Sequence, residues 1–174
     1  PSTKEELLAR VRTHLALHKA QQALKASQAK YRELSFIDDL TGFYNTRYLY
    51  KALQEQMAEY PEQALSIVFI DIDKFKLVVD THGHLNGSRA IAELAGVIKP
   101  LLPEGCFGVS YGGDEFVVTL TAPALPALTE RIAARLNQQL SAPFEVDGRE
   151  YRISASIGIA HAPAHGRTLP DLVA

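Results

Sequence analysis

After Pro1 the first 34 residues contain no glycine or proline, and their apolar positions recur at helical spacing. Leu7, Leu8, Val11 and Leu15 form one stripe. Leu17, Ala20, Leu24, Ser27, Tyr31 and Leu34 continue it in alternating steps of three and four. A hydroxyl at Ser2 or Thr3 followed by Glu5 and Glu6 is the residue order that caps a helix start. The pattern predicts one long helix with a short heptad seam, diluted by Ala20 and Ser27. Such a helix can lie on its own domain or form a parallel stalk joining two copies. The stalk is favoured because a lone polar-coated helix is marginal in water.

From Phe36 the pattern becomes globular. Asp38–Gly42 reads as a turn, and Asn45 can cap a helix running to about Tyr60, where Pro61 stops it. Leu65 to Ile72 is almost continuously apolar and reads as a strand buried on both faces. Lys74 to Gly87, with two glycines, is expected to lead into a helix from about Ser88 to Lys99. Phe107–Tyr111 and Glu115–Leu120 read as strands folded around a diglycine turn at Gly112-Gly113. Ala127 to Leu140 is a further amphipathic helix. Phe144–Val146 and Tyr151–Ala160 are expected to form a second hairpin around Asp147-Gly148, and Thr168 starts a short closing helix. Helices alternating with strands and hairpins predict an α+β sheet flanked by helices.

The 174 residues are 47% hydrophobic, enough for a sizeable core. The charge is divided: residues 1–34 carry +4 and the remainder −6, giving the net −2. That balance argues against binding along nucleic acid backbones, so no DNA partner is expected. Cys106 is the single cysteine, which excludes an internal disulfide and a cysteine-based zinc cluster. The apolar runs are too short to cross a bilayer, and Thr3-Lys4-Glu5-Glu6 does not read as a signal peptide. A cytoplasmic protein with no membrane association is expected.

Two acidic clusters sit where strands meet turns: Asp71 and Asp73, and Asp114 with Glu115. If the two strands are neighbours, Asp71, Asp114 and Glu115 converge. Clustered carboxylates repel one another, and a hard divalent cation such as Mg²⁺ relieves the repulsion. Two such ions can activate an attacking hydroxyl and neutralise a leaving pyrophosphate. Gly112 and Gly113 would let a phosphate or nucleoside lie against the backbone, while amides at Lys74 and Phe75 and the charge of Lys76 would face phosphate oxygens. A structural reading stands beside this one, since acids beside turns are common and a diglycine hairpin needs no ligand. His161 and His165 are four apart, but Pro163 breaks any helix between them, so a metal pair is not expected.

Tyr111-Gly112-Gly113-Asp114-Glu115-Phe116 resembles the signature of GGDEF domains, the diguanylate cyclase family. Three further blocks occur in the same order: Asp38–Arg47 is similar to an opening DxLTGLxNRR segment, Asp71–Lys76 with Gly83-His84 to a DxDxFKxxND…GH block, and Ser154–Ala160 to a late SxGIA strand. The resemblance covers about residues 36 to 174. Separately, Glu6–Arg12 is similar to the last helix of a response-regulator receiver domain. The implied organisation is a receiver-derived, coiled-coil-like linker over 1–35 and a GGDEF domain over 36–174 lacking its closing helix, so that this chain by itself is expected to be compromised in activity.

The family implies a palm-like fold and condensation of two GTP molecules into cyclic di-GMP across a homodimer, with release of two pyrophosphates. Carried over by motif, Asp71, the Ile72 carbonyl, Asp114 and Glu115 would hold two Mg²⁺ ions per site, with Mn²⁺ as a substitute. Asp114 or Glu115 would assist deprotonation of the 3′-hydroxyl. Lys74, Phe75 and Lys76, with Gly112 and Gly113, would hold the triphosphate.

The departures from the family fall on base-reading positions: Val79 replaces its asparagine and Ser88 its aspartate. Valine cannot hydrogen-bond a base edge, and serine offers one hydroxyl that donates or accepts. A family branch with serine here makes cyclic GMP–AMP, so relaxed base selectivity, with ATP as a second substrate, is implied. Ser110 and Thr46 replace family arginines, and Pro103 and Cys106 stand where an RxxD inhibitory site would lie. Two alternatives to an active cyclase stay open: a degenerate domain that binds nucleotide or dimerises in signalling, and a structural oligomerisation module resting on the helix alone.

Overall fold

The computed structural model describes residues 3–120 and 126–174. It divides into two compact units, residues 1–35 and 36–174. The first is a single helix, α1 (Thr3–Leu34), with Glu5 and Glu6 in its first turn and Arg32 in its last, so both ends complement the helix dipole. Its apolar residues, Leu7, Leu8, Val11, Leu15, Leu17, Leu24 and Leu34 among them, are all exposed.

The second unit is a five-stranded mixed sheet in the order β1-β3-β4-β2-β7, with a separate two-stranded sheet, β5-β6. In chain order the elements are β1 (Tyr44–Asn45), α2 (Thr46–Glu59), β2 (Leu65–Ile72), α3 (Phe75–Ile98), β3 (Cys106–Ser110), β4 (Glu115–Leu120), α4 (Pro126–Leu140), β5 (Phe144–Val146), β6 (Arg149–Tyr151), β7 (Ala155–Ala162) and α5 (Leu169–Val173). β2 is an interior strand, antiparallel to both neighbours, β4 and the edge strand β7. This explains its near-continuous apolar sequence, because both of its faces are covered. Val68, Ile70 and Ile72 join Phe116, Val118 and Leu120 under α3 and α4, through Ile91, Leu94, Ile98, Ile132 and Leu136. Leu65 and Ile67 face the other way, with Val109 and Val117, onto Leu49 and Leu53 of α2 and Leu169 and Leu172 of α5. The α+β sheet flanked by helices is therefore as expected.

Caps hold the helix starts as the residue types required. Asn45 Oδ1 accepts from the Tyr48 N–H (3.1 Å), and Thr168 Oγ1 accepts from the Asp171 N–H (3.3 Å). The turn at Asp38 closes on itself, its Oδ2 accepting from the Thr41 amide (2.9 Å) and hydroxyl (2.7 Å). Thr46 Oγ1 donates to the Tyr111 carbonyl (3.2 Å), tying the start of α2 to the diglycine turn.

Two expectations need correction. The helix expected from about Ser88 starts earlier: α3 begins at Phe75 and is broken only at Gly83, whose φ of 84° interrupts helical geometry. Glycine lowers helix propensity, yet Gly87 is helical, and the room its missing Cβ leaves is taken by the Val79 side chain. The second hairpin is also shorter than expected, pairing Phe144–Val146 with Arg149–Tyr151. It turns at Asp147-Gly148, both in the left-handed region (φ 51° and 73°) that a two-residue turn between twisted strands favours. Residues 155–162 leave that hairpin and pair with β2 instead. Alternating hydrophobicity continues across the change of partner, which is why one strand was expected. The hairpin packs Val146 and Tyr151 against Ala90 of α3, reinforced by an Arg89–Asp147 ion pair.

Candidate active site

The central register does most to build the site. Asp71, one residue before the end of β2, pairs directly with Glu115, the first residue of β4, and with Ser156 of β7. Directly opposed residues share a face of a sheet, so Asp71, Glu115 and Ser156 project from one side at one end. One step on, the Ile72 N–H donates to the Asp114 carbonyl (3.0 Å). The backbones bearing Asp71, Ile72, Asp114 and Glu115 are thus adjoining, as the expectation of neighbouring strands required.

The carboxylates themselves are not drawn into a cage. Among the described residues no three His, Cys, Asp or Glu side chains form a group able to hold a metal ion. Asp71 is exposed, and Asp114 and Glu115 are half-buried. The ion pairs among the described residues lie elsewhere, so no basic side chain neutralises these three acids. Their oxygen-only donor set, with a strand-end carbonyl beside it, suits a hard cation that keeps part of its shell for water or phosphate.

The diglycine turn is one residue longer than expected, because β3 ends at Ser110 and not at Tyr111. Its loop is Tyr111–Asp114, closed by the Tyr111 and Gly112 amides donating to the Glu115 carbonyl (2.9 and 3.2 Å). Neither glycine has a positive φ. The requirement for glycine is therefore one of space. A Cβ on Gly112 would stand 2.5 Å from Glu115 Oε2, so the carboxylate occupies the room a side chain would take. A Cβ on Gly113 would meet nothing within 4 Å, which leaves that backbone open to an incoming group. Beneath the turn Tyr111 packs edge-on against Phe69 at 5.1 Å. Burial first, then Tyr50 and Glu115, push its phenol above the usual tyrosine range.

On the other side of β2 the chain turns sharply. Lys74 is left-handed (φ 55°, ψ 25°) and starts α3 without a side-chain cap. Lys74 and Lys76 are exposed, whereas the Phe75 ring turns inward to pack with both the main core and the β5-β6 hairpin. Only the Phe75 backbone remains a candidate for meeting phosphate. Further along α3, Val79 Cγ2 lies 2.7 Å from where a Cβ on Gly87 would be. The break at Gly83 thus folds the two halves of α3 together and brings Val79 beside the turn of helix that carries half-buried Ser88.

The sequence reading missed a polar knot behind this turn. Asp73 accepts from the Ser154 hydroxyl (Oδ2, 2.7 Å) and the Ser156 hydroxyl (Oδ1, 2.6 Å), and its N–H donates to the Ser154 carbonyl (2.9 Å). The hydroxyls of Ser156 and then Ser154, with a smaller contribution from Lys74, hold its carboxyl below the usual aspartate range. A visible signal existed: two serines two apart at the start of one strand, and an acid just past the end of another. His161 and His165 also come together, with ring centroids 5.4 Å apart. His165 Nδ1 accepts the His161 amide (3.0 Å), and His161 Nδ1 shares a hydrogen bond with Ser66 Oγ (2.7 Å).

An acidic strand end thus faces a glycine turn at one end of a helix-flanked mixed sheet, an arrangement that can take a cation and a phosphate-bearing ligand. Residues 35–174 match the family described as "Diguanylate cyclase, GGDEF domain", and the chain belongs to it. It is 34% identical to the response regulator PleD of Caulobacter vibrioides over 97% of this chain and 38% of PleD. It is likewise 34% identical to the bifunctional diguanylate cyclase/cyclic di-GMP phosphodiesterase MucR of Pseudomonas aeruginosa, over 81% of this chain and 21% of MucR. The crystal structure of a sensory box/GGDEF family protein from Caulobacter crescentus superposes with a TM-score of 0.70 at 33% identity, covering 80% of this chain and 91% of that one. The chain spans between about a fifth and two-fifths of the length of these two curated relatives. Among the described residues no helix is long and apolar enough to cross a membrane.

Proposed function

We propose that this domain is a divalent-metal-dependent dinucleotide cyclase that joins two GTP molecules into cyclic di-GMP, with base selectivity loose enough to admit ATP and yield cyclic GMP–AMP. The observation that carries the proposal is the register setting Asp71 opposite Glu115 with the Ile72 amide on the Asp114 carbonyl. In each half-reaction a 3′-oxygen bonds to the opposing α-phosphorus and the bond to pyrophosphate breaks. The hydroxyl proton passes to the Asp114 or Glu115 carboxylate. Asp71, the Ile72 carbonyl, Asp114 and Glu115 are the residues that would hold Mg²⁺, two ions per site, with Mn²⁺ as a substitute. When bound, the metal supplies charge neutralisation at the phosphates and acidifies the attacking hydroxyl.

The remaining contributions come from the chain. The open backbone at Gly113, the room at Gly112, the amides of Lys74 and Phe75 and the charges of Lys74 and Lys76 hold the triphosphate, so catalysis is chiefly positioning and electrostatic stabilisation. Val79 gives the base an apolar wall, and Ser88 a hydroxyl that accepts or donates with equal ease. Loss of a neutral hydrogen bond costs about 0.5–1.5 kcal/mol and of a charged one about 1.5–3, so discrimination between bases suffers before phosphate chemistry does. Two sites must face each other, and the exposed apolar seam of α1 supports a homodimer formed through that helix. The match to PleD extends through the α1 region, which supports an upstream receiver domain in a longer, cytoplasmic parent.

The uncaged carboxylates and the apolar Val79 favour a second reading, a noncatalytic GGDEF domain that binds nucleotide or dimerises in signalling. Mass spectrometry of the products that the full-length parent forms from GTP, ATP and their mixture with Mg²⁺ decides, with Asp114→Ala as control. Cyclic di-GMP from GTP together with the mixed product supports the proposal. Product from GTP alone removes the relaxed selectivity, and no product alongside retained nucleotide binding leaves the noncatalytic reading.

A further inference from the structure

The late Ser154–Ile157 segment has no role in the chemistry above, yet its hydroxyls reach directly to the turn that would hold phosphate. We propose that Asp73 is a positioning residue for the triphosphate, acting through Ser154 and Ser156 to hold the Lys74–Lys76 turn in its binding shape. This rests on the nucleotide reading of that turn.

The Phe75 ring packs inward beside the turn, but no side-chain hydrogen bond from its own residues shapes it. Lys74 lies in the left-handed region, which a residue with a Cβ adopts only under constraint, and no side chain caps the start of α3. The constraint comes from the edge strand. Asp73 makes three hydrogen bonds to Ser154 and Ser156, through its amide and both carboxylate oxygens. β7 is itself fixed along its whole length, pairing with β2 from Leu65↔Ala162 to Ile72↔Ala155. A turn anchored to a rigid strand keeps its geometry far better than a free loop. The anchor ends where the helix begins: the Leu77 N–H donates to the Lys74 carbonyl (2.9 Å), the first bond of α3.

The residue types fit this task. A carboxylate presents two acceptor oxygens to two hydroxyl donors, whereas an amide presents one oxygen and a nitrogen that must itself donate. The paired acids of the Asp71-Ile72-Asp73 segment thereby divide the work. Asp71 is exposed and makes no ion pair among the described residues, while Asp73 has one oxygen on Ser156 of β7 and the other on Ser154 just before that strand. Ser154 and Ser156 are exposed, so removing these bonds disorders the turn without opening the core.

The test is the binding of inorganic tripolyphosphate, without metal, to the full 174-residue chain, followed by calorimetry and by backbone amide shifts. In the wild type the amides of Lys74, Phe75 and Lys76 should shift on titration. Asp73→Ala and the double variant Ser154→Ala/Ser156→Ala should each weaken binding about tenfold, as loss of charge-assisted bonds that order the site would. Combining them should add little, because they remove the same contacts. Asp73→Asn, keeping one acceptor, should fall between. Melting temperatures should stay within about 2 °C of wild type. Variants that bind like wild type, effects that add independently, or losses that track melting temperature would each overturn the proposal. An unshifted Lys74–Lys76 turn in the wild type would overturn the nucleotide reading of this turn as well.

Discussion

Gly112→Ala separates the space argument from the conformational one. The added Cβ would stand 2.5 Å from Glu115 Oε2 and 3.4 Å from its Cδ. Ordinary contact requires the carboxylate to retreat by about 1 Å, a shift that the end of a flexible side chain can make. Because Gly112 has no positive φ, alanine strains no backbone, and the narrower unfolded ensemble is worth about 0.4–1 kcal/mol in its favour. Melting temperature should therefore hold or rise by up to about 4 °C. Activity should respond very differently, since a 1 Å misplacement at a reacting centre can cost about 10²-fold. The assay pairs thermal denaturation with metal-dependent nucleotide turnover, and Gly108→Ala serves as the contrast. There the Cβ would press three atoms of the buried Phe43 ring at 3.2 Å, and overpacking of this kind costs about 1–3 kcal/mol. A stable Gly112→Ala protein with unchanged turnover would refute the placement of Glu115 at the reaction centre. A melting temperature that falls as far as that of Gly108→Ala would refute the claim that space alone demands the glycine.

Other expectations follow from single contacts. Asn45→Ala removes the side-chain oxygen that accepts the Tyr48 N–H and should cost about 1 kcal/mol in a denaturant titration. The folded carboxyl of Asp73 is held below its unfolded value, so its stabilising contribution is complete above the unfolded pKa and is lost as pH falls through the folded one. Asp73→Asn should therefore flatten the acid limb of a stability–pH curve and leave the neutral region unchanged in slope. Ser88→Asp restores an acceptor that opposes the lone pair of adenine N1, and should raise the GTP-to-ATP ratio in competition turnover. Leu24→Glu places a charge on the exposed seam of α1 and should shift sedimentation toward monomer.

The sheet and its helices were legible because their signals are local. Caps at Asn45 and Thr168, the apolar run of β2 and the helical stripe of α4 each follow from a short window of sequence. The failures lie where a distant partner decides the outcome. The helix expected from about Ser88 begins at Phe75, its first half folded back so that Val79 meets Gly87, and residues 151–160 looked like one strand because periodicity does not name the sheet that a strand joins. The same holds for the site. The acids were visible, and their adjacency depends on the register of β2 with β4. The role of Gly112 depends on which way Glu115 folds, and the task of Asp73 shows only when the hydroxyls of Ser154 and Ser156 are placed against it.

The most direct measurement is paramagnetic broadening of amide signals by Mn²⁺ in the presence of nucleotide. Broadening centred on Asp71–Asp73 and Gly112–Glu115, abolished by Asp71→Asn and by Asp114→Asn, is the expected result. Broadening centred elsewhere, or unchanged in those variants, would contradict a cation site at the junction of β2 and β4.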